Sequence, residues 1–100
     1  MNILWVCSMA RLRSKTGYTI FGGDYCGTDY DADKPVTKSL MDWADIIICM
    51  ETRHRSKLRR KYKGYSNKIK VLNIPDEYEF MDDILCNKLK VAYQRIIFGE

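Results

Sequence analysis

The sequence predicts an α/β fold, a three-layer α/β/α sandwich built on a four-stranded parallel sheet. Two patterns carry that expectation. Short apolar runs alternate with segments of helical periodicity along the chain, and such alternation implies parallel strands joined by right-handed crossovers. The run Ile46-Ile47-Ile48-Cys49 is apolar throughout rather than at every second position, as suits a strand covered on both faces. The 100 residues read as one domain, 1–100. A chain of that size buries roughly two-thirds of its unfolded surface, enough for one core.

Each element has its own signal. Residues 3–6, Ile-Leu-Trp-Val, form the expected first strand, which stops at Cys7. Ser14 is expected to cap a helix that runs to about Phe21 and ends at Gly22-Gly23. Gly17 would weaken that helix by about 1 kcal/mol relative to alanine. Residues 24–26 form a short second strand, followed by an acidic loop over 29–33. Pro35 suits the first turn of a second helix, with Val36, Leu40 and Trp43 on one face. The third strand covers 46–49, and a strongly basic helix covers 52 to about 62, closed by Gly64. Residues 69–72 form the fourth strand. Asp82 or Asp83 caps a last helix with Leu85, Leu89, Ala92, Tyr93 and Ile96 on one face.

Composition excludes several classes. No run approaches the ~20 apolar residues that span a bilayer, and no basic segment followed by an apolar stretch and a cleavage site marks export. The cysteines at 7, 26, 49 and 86 form no paired metal-ligand spacing. The expectation is a reduced, cytoplasmic protein with no metal, no cofactor and no membrane partner.

The candidate site is the stretch Cys7-Ser8-Met9-Ala10-Arg11-Leu12-Arg13-Ser14, lying between the first strand and the first helix. A loop entering a helix presents several backbone N–H groups and a positive helix end to one point, which suits a phosphate-sized anion such as phosphate or sulfate. Arg13 adds a planar fork that can grip two oxygens at once. Cys7 would sit beneath the anion as the nucleophilic thiolate. Cysteine, five residues, arginine and serine together resemble the phosphate loop of the cysteine-dependent phosphatases. The same spacing recurs at Cys49-Met50-Glu51-Thr52-Arg53-His54-Arg55-Ser56, so spacing alone does not decide. Chemistry separates the two. Glu51 would repel a phosphate dianion and raise the pKa of a neighbouring thiol, whereas the first loop holds no acid and gains charge from Arg11. Cys7 is therefore taken as the nucleophile and Cys49 as a buried structural thiol.

With these residues the chain resembles the low-molecular-weight protein tyrosine phosphatases, in particular a compact bacterial-type branch. That family also places its loop immediately after the first strand. Further matches are Cys26-Gly27-Thr28, Ala44-Asp45-Ile46-Ile47-Ile48-Cys49-Met50-Glu51 and Ile74-Pro75-Asp76-Glu77-Tyr78, so the similarity covers nearly the whole chain. The resemblance helps choose the strand order 2-1-3-4, which puts the Cys7 loop at the switch point between strands one and three. It implies hydrolysis of a phosphotyrosine protein or small aryl phosphate through a phosphocysteine intermediate. Ala10 stands where the family usually has asparagine, which helps hold a left-handed turn, and Lys15 stands where proline is common.

Displacing phosphate from an aryl ester also needs an acid for the leaving oxygen. Asp76 follows the fourth strand through Pro75 and resembles the family's acid loop; Asp82 is the alternative, with helix capping its sufficient explanation. Tyr30 and Tyr78 could wall the pocket. Two other functions stay open. Arg53, Arg55, Lys57, Arg59, Arg60, Lys61 and Lys63 crowd one helix, and a catalytically silent domain could bind acidic partners or nucleic acid through 53–63. Arsenate reduction would require resolving cysteines, and Cys26, Cys49 and Cys86 form no close pair in sequence.

Overall fold

The computed structural model describes residues 1–99. Strands β1 (Ile3–Cys7), β2 (Asp24–Gly27), β3 (Ile46–Cys49) and β4 (Ile69–Val71) form one parallel sheet in the order β2-β1-β3-β4. In register, Val6 stands between Cys26 and Cys49. Every residue of β1 is buried, and successive side chains enter opposite clusters, as the two-residue period of a strand requires. Leu4 and Val6 join Ile47 and Cys49 in one cluster with Met41 and Leu58. Ile3, Trp5 and Cys7 join Ile48 in the other with Leu85 and Leu89. Helices α2 (Lys38–Trp43) and α3 (Thr52–Lys61) therefore cover one face, and α1 (Arg13–Phe21) and α4 (Asp83–Phe98) the other. This is the expected three-layer arrangement and strand order.

Several local expectations are corrected. Ser14 is not a cap: α1 begins two residues earlier than a Ser14 cap implies, at Arg13 with Leu12 at the cap position, and the Ser14 hydroxyl lies 2.9 Å from Cys7 Sγ. Pro35 does not open α2. It bridges Gly27 in parallel, so the chain leaving β2 is pinned back beside the sheet before Thr37 caps the helix with its side-chain oxygen. The shortened helix turns Met41 into the core and leaves Trp43 39% exposed. Of the two expected N-terminal caps of the last helix, Asp82 is the one used, accepting from the Ile84 and Leu85 amides.

Trp5 fixes how closely α1 approaches the sheet. Its ring stacks on Phe21 and Tyr93, and its indole N–H donates to the Gly22 carbonyl at 3.1 Å. Gly17 faces the indole. A Cβ added there would stand 2.5 Å from Trp5 Cδ2 and Cε3, a separation no real side chain tolerates. The glycine that weakens the helix locally is thus what allows it to pack. Gly17→Ala should lower stability in urea denaturation by roughly 1–3 kcal/mol through overpacking, despite a helix-propensity gain of about 1 kcal/mol. A net gain in stability would show instead that the indole can slide aside.

Candidate active site

The loop between β1 and α1 is held from behind. Amides of Thr28, Asp29 and Asp33 donate to the carbonyls of Cys7, Ser8 and Met9 at 2.9, 3.0 and 2.9 Å. In a trans peptide the C=O and the next N–H point in opposite directions. The amide hydrogens of Ser8, Met9 and Ala10 therefore face away from the 28–33 segment. Ala10 takes φ +61°, a left-handed conformation that costs a residue with a Cβ roughly 1–2 kcal/mol. The loop thus keeps the left-handed turn without the asparagine, and Ala10 is buried in that strained state.

In front of the loop lies a cavity of about 190 Å³ lined by Cys7, Ser8, Met9, Arg11, Leu12, Arg13 and Asp76. Six of the predicted site residues on the loop and the predicted acid thus meet around one space. Arg13 is only 2% exposed. Its Nη1 donates to Glu51 Oε2 at 2.6 Å and to the Ile74 carbonyl at 2.7 Å, which leaves Nε and Nη2 available for other acceptors. Asp76 Oδ1 stands 3.8 Å from Nε, outside hydrogen-bond reach, and its side chain is about half exposed. The 74–82 segment is tied down at both ends. The Ile74 amide donates to the Met50 carbonyl and the Met81 amide to Thr16 Oγ1. Asp82, the alternative acid, has its carboxylate engaged in capping α4.

The expected aromatic walls are elsewhere. Tyr30 is 92% exposed and lines a larger hollow, about 620 Å³, between the 28–36 segment and α3. That hollow is lined by no cysteine, so size is not the guide here. Tyr78 packs on the cluster beneath α4. Arg11 stands at the cavity rim, paired with Asp33 at 3.0 Å. The basic helix is not a free stripe of cations either, since Arg53 pairs with Glu51 and Lys57 with Asp29.

The look-alike segment at Cys49 serves a different purpose. Only two residues separate Cys49 from α3, against five between Cys7 and α1, so no anion-sized loop forms. Burial pushes the Cys49 thiol up to about 12, and burial raises Cys26 as well. Two strand spacings of ~4.8 Å separate Cys26 from Cys49 across β1, too far for a disulfide. Glu51 was expected to disqualify this segment, and it does more: it holds the arginine of the other loop. Burial pushes its carboxyl up, but hydrogen bonds from Arg53 and Arg13 outweigh that and bring it to about 2. Sequence reading missed Glu51, the Ile74 carbonyl and His54. The signal available was positional, because the residues just past β3 stand beside the loop that leaves β1.

His54 is 1% exposed. Its Nδ1 accepts the Glu51 amide at 3.0 Å and its Nε2 meets Ser8 Oγ at 2.9 Å. Burial and the nearby cations Arg13 and Arg53 hold its pKa down at about 4. The unfolded chain takes this proton near pH 6.5 while the folded one refuses it until about 4, so stability falls as pH drops through that window. A shift of this size corresponds to about 3 kcal/mol at most. Glu51 adds a second loss between about pH 4.5 and 2, where the unfolded carboxylate protonates first. Denaturation midpoints should therefore decline in two stages on acidification, and His54→Gln should flatten the upper stage while leaving the lower one. An unchanged upper stage would exclude His54 as its cause.

No protein-family model matches the sequence, and none of the curated proteins compared with it does. Solved structures do match. The tyrosine phosphatase Wzb from Escherichia coli K30, in complex with phosphate, superposes with a TM-score of 0.79 at 20% identity, over 98% of this chain and 96% of that one. A YwlE mutant from Bacillus subtilis gives 0.74 at 16%, over 97% and 99%. A low-molecular-weight protein tyrosine phosphatase from Streptococcus pyogenes also gives 0.74 at 16%, over 96% and 93%. The chain has the fold of the low-molecular-weight protein tyrosine phosphatases.

Proposed function

We propose that the protein is a cysteine-dependent phosphatase that hydrolyses phosphotyrosine or a related aryl phosphate through a phosphocysteine intermediate. The observation that carries this reading is the buried Arg13 guanidinium, held by Glu51 and the Ile74 carbonyl on the cavity that Cys7 opens into. Among the structural neighbours, Wzb is in complex with phosphate, and an active-site cysteine-to-serine mutant of the YwlE arginine phosphatase carries phosphate on that serine.

The residues divide the chemistry as follows. Loop amides and the N-terminal end of α1 bind the phosphoryl oxygens, and Arg13 grips two of them through Nε and Nη2. The Cys7 thiolate attacks phosphorus; the S–P bond forms as the P–O(aryl) bond breaks. Asp76, as the carboxylic acid, gives its proton to the leaving oxygen. In the second step Asp76, now a carboxylate, takes a proton from water as the water oxygen attacks phosphorus. The S–P bond then breaks, and phosphate and the Cys7 thiolate are released. Ser14 Oγ, 2.9 Å from Cys7 Sγ, is placed to donate to the sulfur each time its charge returns. Positioning and electrostatics carry most of the rate in such transfers.

Hydrolysis of p-nitrophenyl phosphate tests the reading. Cys7→Ser should abolish turnover while Cys49→Ser leaves most of it; equal loss in two well-folded variants would overturn the assignment. Salt-sensitive oligonucleotide binding with no hydrolysis would favour a binding domain instead. The strain at Ala10 gives a second expectation. Ala10→Asn should raise turnover roughly tenfold, the factor that ~1.4 kcal/mol of barrier supplies, with stability unchanged or improved. A flat rate would show that the carbonyl anchors at 28–33 already hold the loop fully.

A further inference from the structure

We propose that the Ser8 hydroxyl is a side-chain donor to the bound phosphoryl group and that His54 is the positioning residue that aims it. This deepens the phosphatase reading and rests on it for the identity of the anion.

The argument begins with where hydrogens can be. The Glu51 amide donates to His54 Nδ1 at 3.0 Å, so that nitrogen carries a lone pair. The neutral ring then has its hydrogen on Nε2, an assignment made from the hydrogen-bond network. Nε2 lies 2.9 Å from Ser8 Oγ and must be the donor. A serine hydroxyl that accepts there still has its own hydrogen to give. Ser8 is 8% exposed, and the space it opens onto is the cavity it lines with Cys7 and Arg13. His54 is the one hydrogen-bond partner of this hydroxyl among the described residues, so its hydrogen remains available to an anion held in that cavity.

The chain of contacts is rigid at each link. His54 lies in the first turn of α3, just after Glu51, and its backbone amide donates to the Glu51 carbonyl at 3.1 Å. Glu51 in turn holds Arg13. One short segment therefore holds both the arginine fork and the serine hydroxyl. His54 does not line that cavity, so it can reach the anion only through Ser8. A donor fixed before the anion arrives need not reorganise during the reaction, which is how such groups contribute to rate.

The test is a mutant cycle read by two measurements: inorganic phosphate affinity by titration calorimetry, and kcat and KM for p-nitrophenyl phosphate. Ser8→Ala and His54→Leu should each weaken phosphate binding and lower kcat by roughly tenfold, the range for one hydrogen bond to a charged acceptor. His54→Gln can present a side-chain N–H to Ser8 and should stay within roughly threefold of the parent protein. In the Ser8→Ala background, His54→Leu should cost nothing further, because the two act as one unit. Additive losses, or His54→Gln as damaging as His54→Leu, would reduce His54 to a structural role and overturn the proposal. So would a Ser8→Ala variant with the affinity and turnover of the parent, even if His54→Leu failed to fold. A parent protein that binds phosphate with this coupling but hydrolyses nothing would overturn the phosphatase reading and keep this one. An active parent with uncoupled variants would do the reverse, and one that binds no phosphate would overturn both.

Discussion

The structure depends on one buried cation. Arg13 stands at the start of α1 with almost no contact with solvent, and a guanidinium cannot discharge itself by losing a proton. Burying it is costly unless charge and hydrogen bonds compensate. Glu51 supplies the charge from the β3–α3 junction, and the Ile74 carbonyl supplies a second acceptor from the chain beyond β4. Three segments far apart in sequence are thereby drawn together at the carboxyl edge of the sheet. The compensation is directional as well as electrostatic. With Nη1 occupied, Nε and Nη2 stay available on a residue that lines the cavity.

The loop that faces Arg13 is kept in place by a different device. Its carbonyls are drawn backward by the amides of 28–33, so its own amides are left facing forward. The left-handed residue in that loop is an alanine, which means the anchors must hold a strained backbone that a more permissive residue would adopt freely. Gly27 makes this possible. A Cβ at that position would collide with the Ser8 carbonyl and with Ala32, so only glycine lets the 28–33 segment lie this close to the loop. Strain in one place and close approach in another are two ends of the same arrangement.

How much of this could be read from the chain differs by residue. The apolar run of β1, the apolar continuity of β3 and a cap at Asp82 or Asp83 all follow from local pattern, and all appear as expected, with Asp82 the residue that caps. Ser14 and Pro35 follow local rules equally well on paper, as a helix cap and a first-turn proline. The fold uses them otherwise, because Ser14 is drawn to Cys7 and Pro35 to Gly27. Tyr30 and Tyr78 are expected as aromatic walls of the pocket, yet neither lines the cavity. Distance along the chain could not say that one faces solvent and the other the core.

The layer architecture, the position of Cys7 at the end of the first strand, and the cation and hydroxyl that follow it are legible along the chain. These are consequences of periodicity and of short spacing, where one residue's neighbours are its neighbours in the chain. Glu51 and His54 owe their contacts to packing between distant segments. As sequence they belong to a second, misleading copy of the cysteine–arginine spacing. In space β3 lies beside β1, with Val6 paired to Cys49, so whatever follows Cys49 stands next to whatever follows Cys7. A carboxylate that would repel a phosphate in its own loop becomes the counter-charge of the arginine in the other. Pairing between strands, which no local pattern encodes, turned the competing motif into the support for the first.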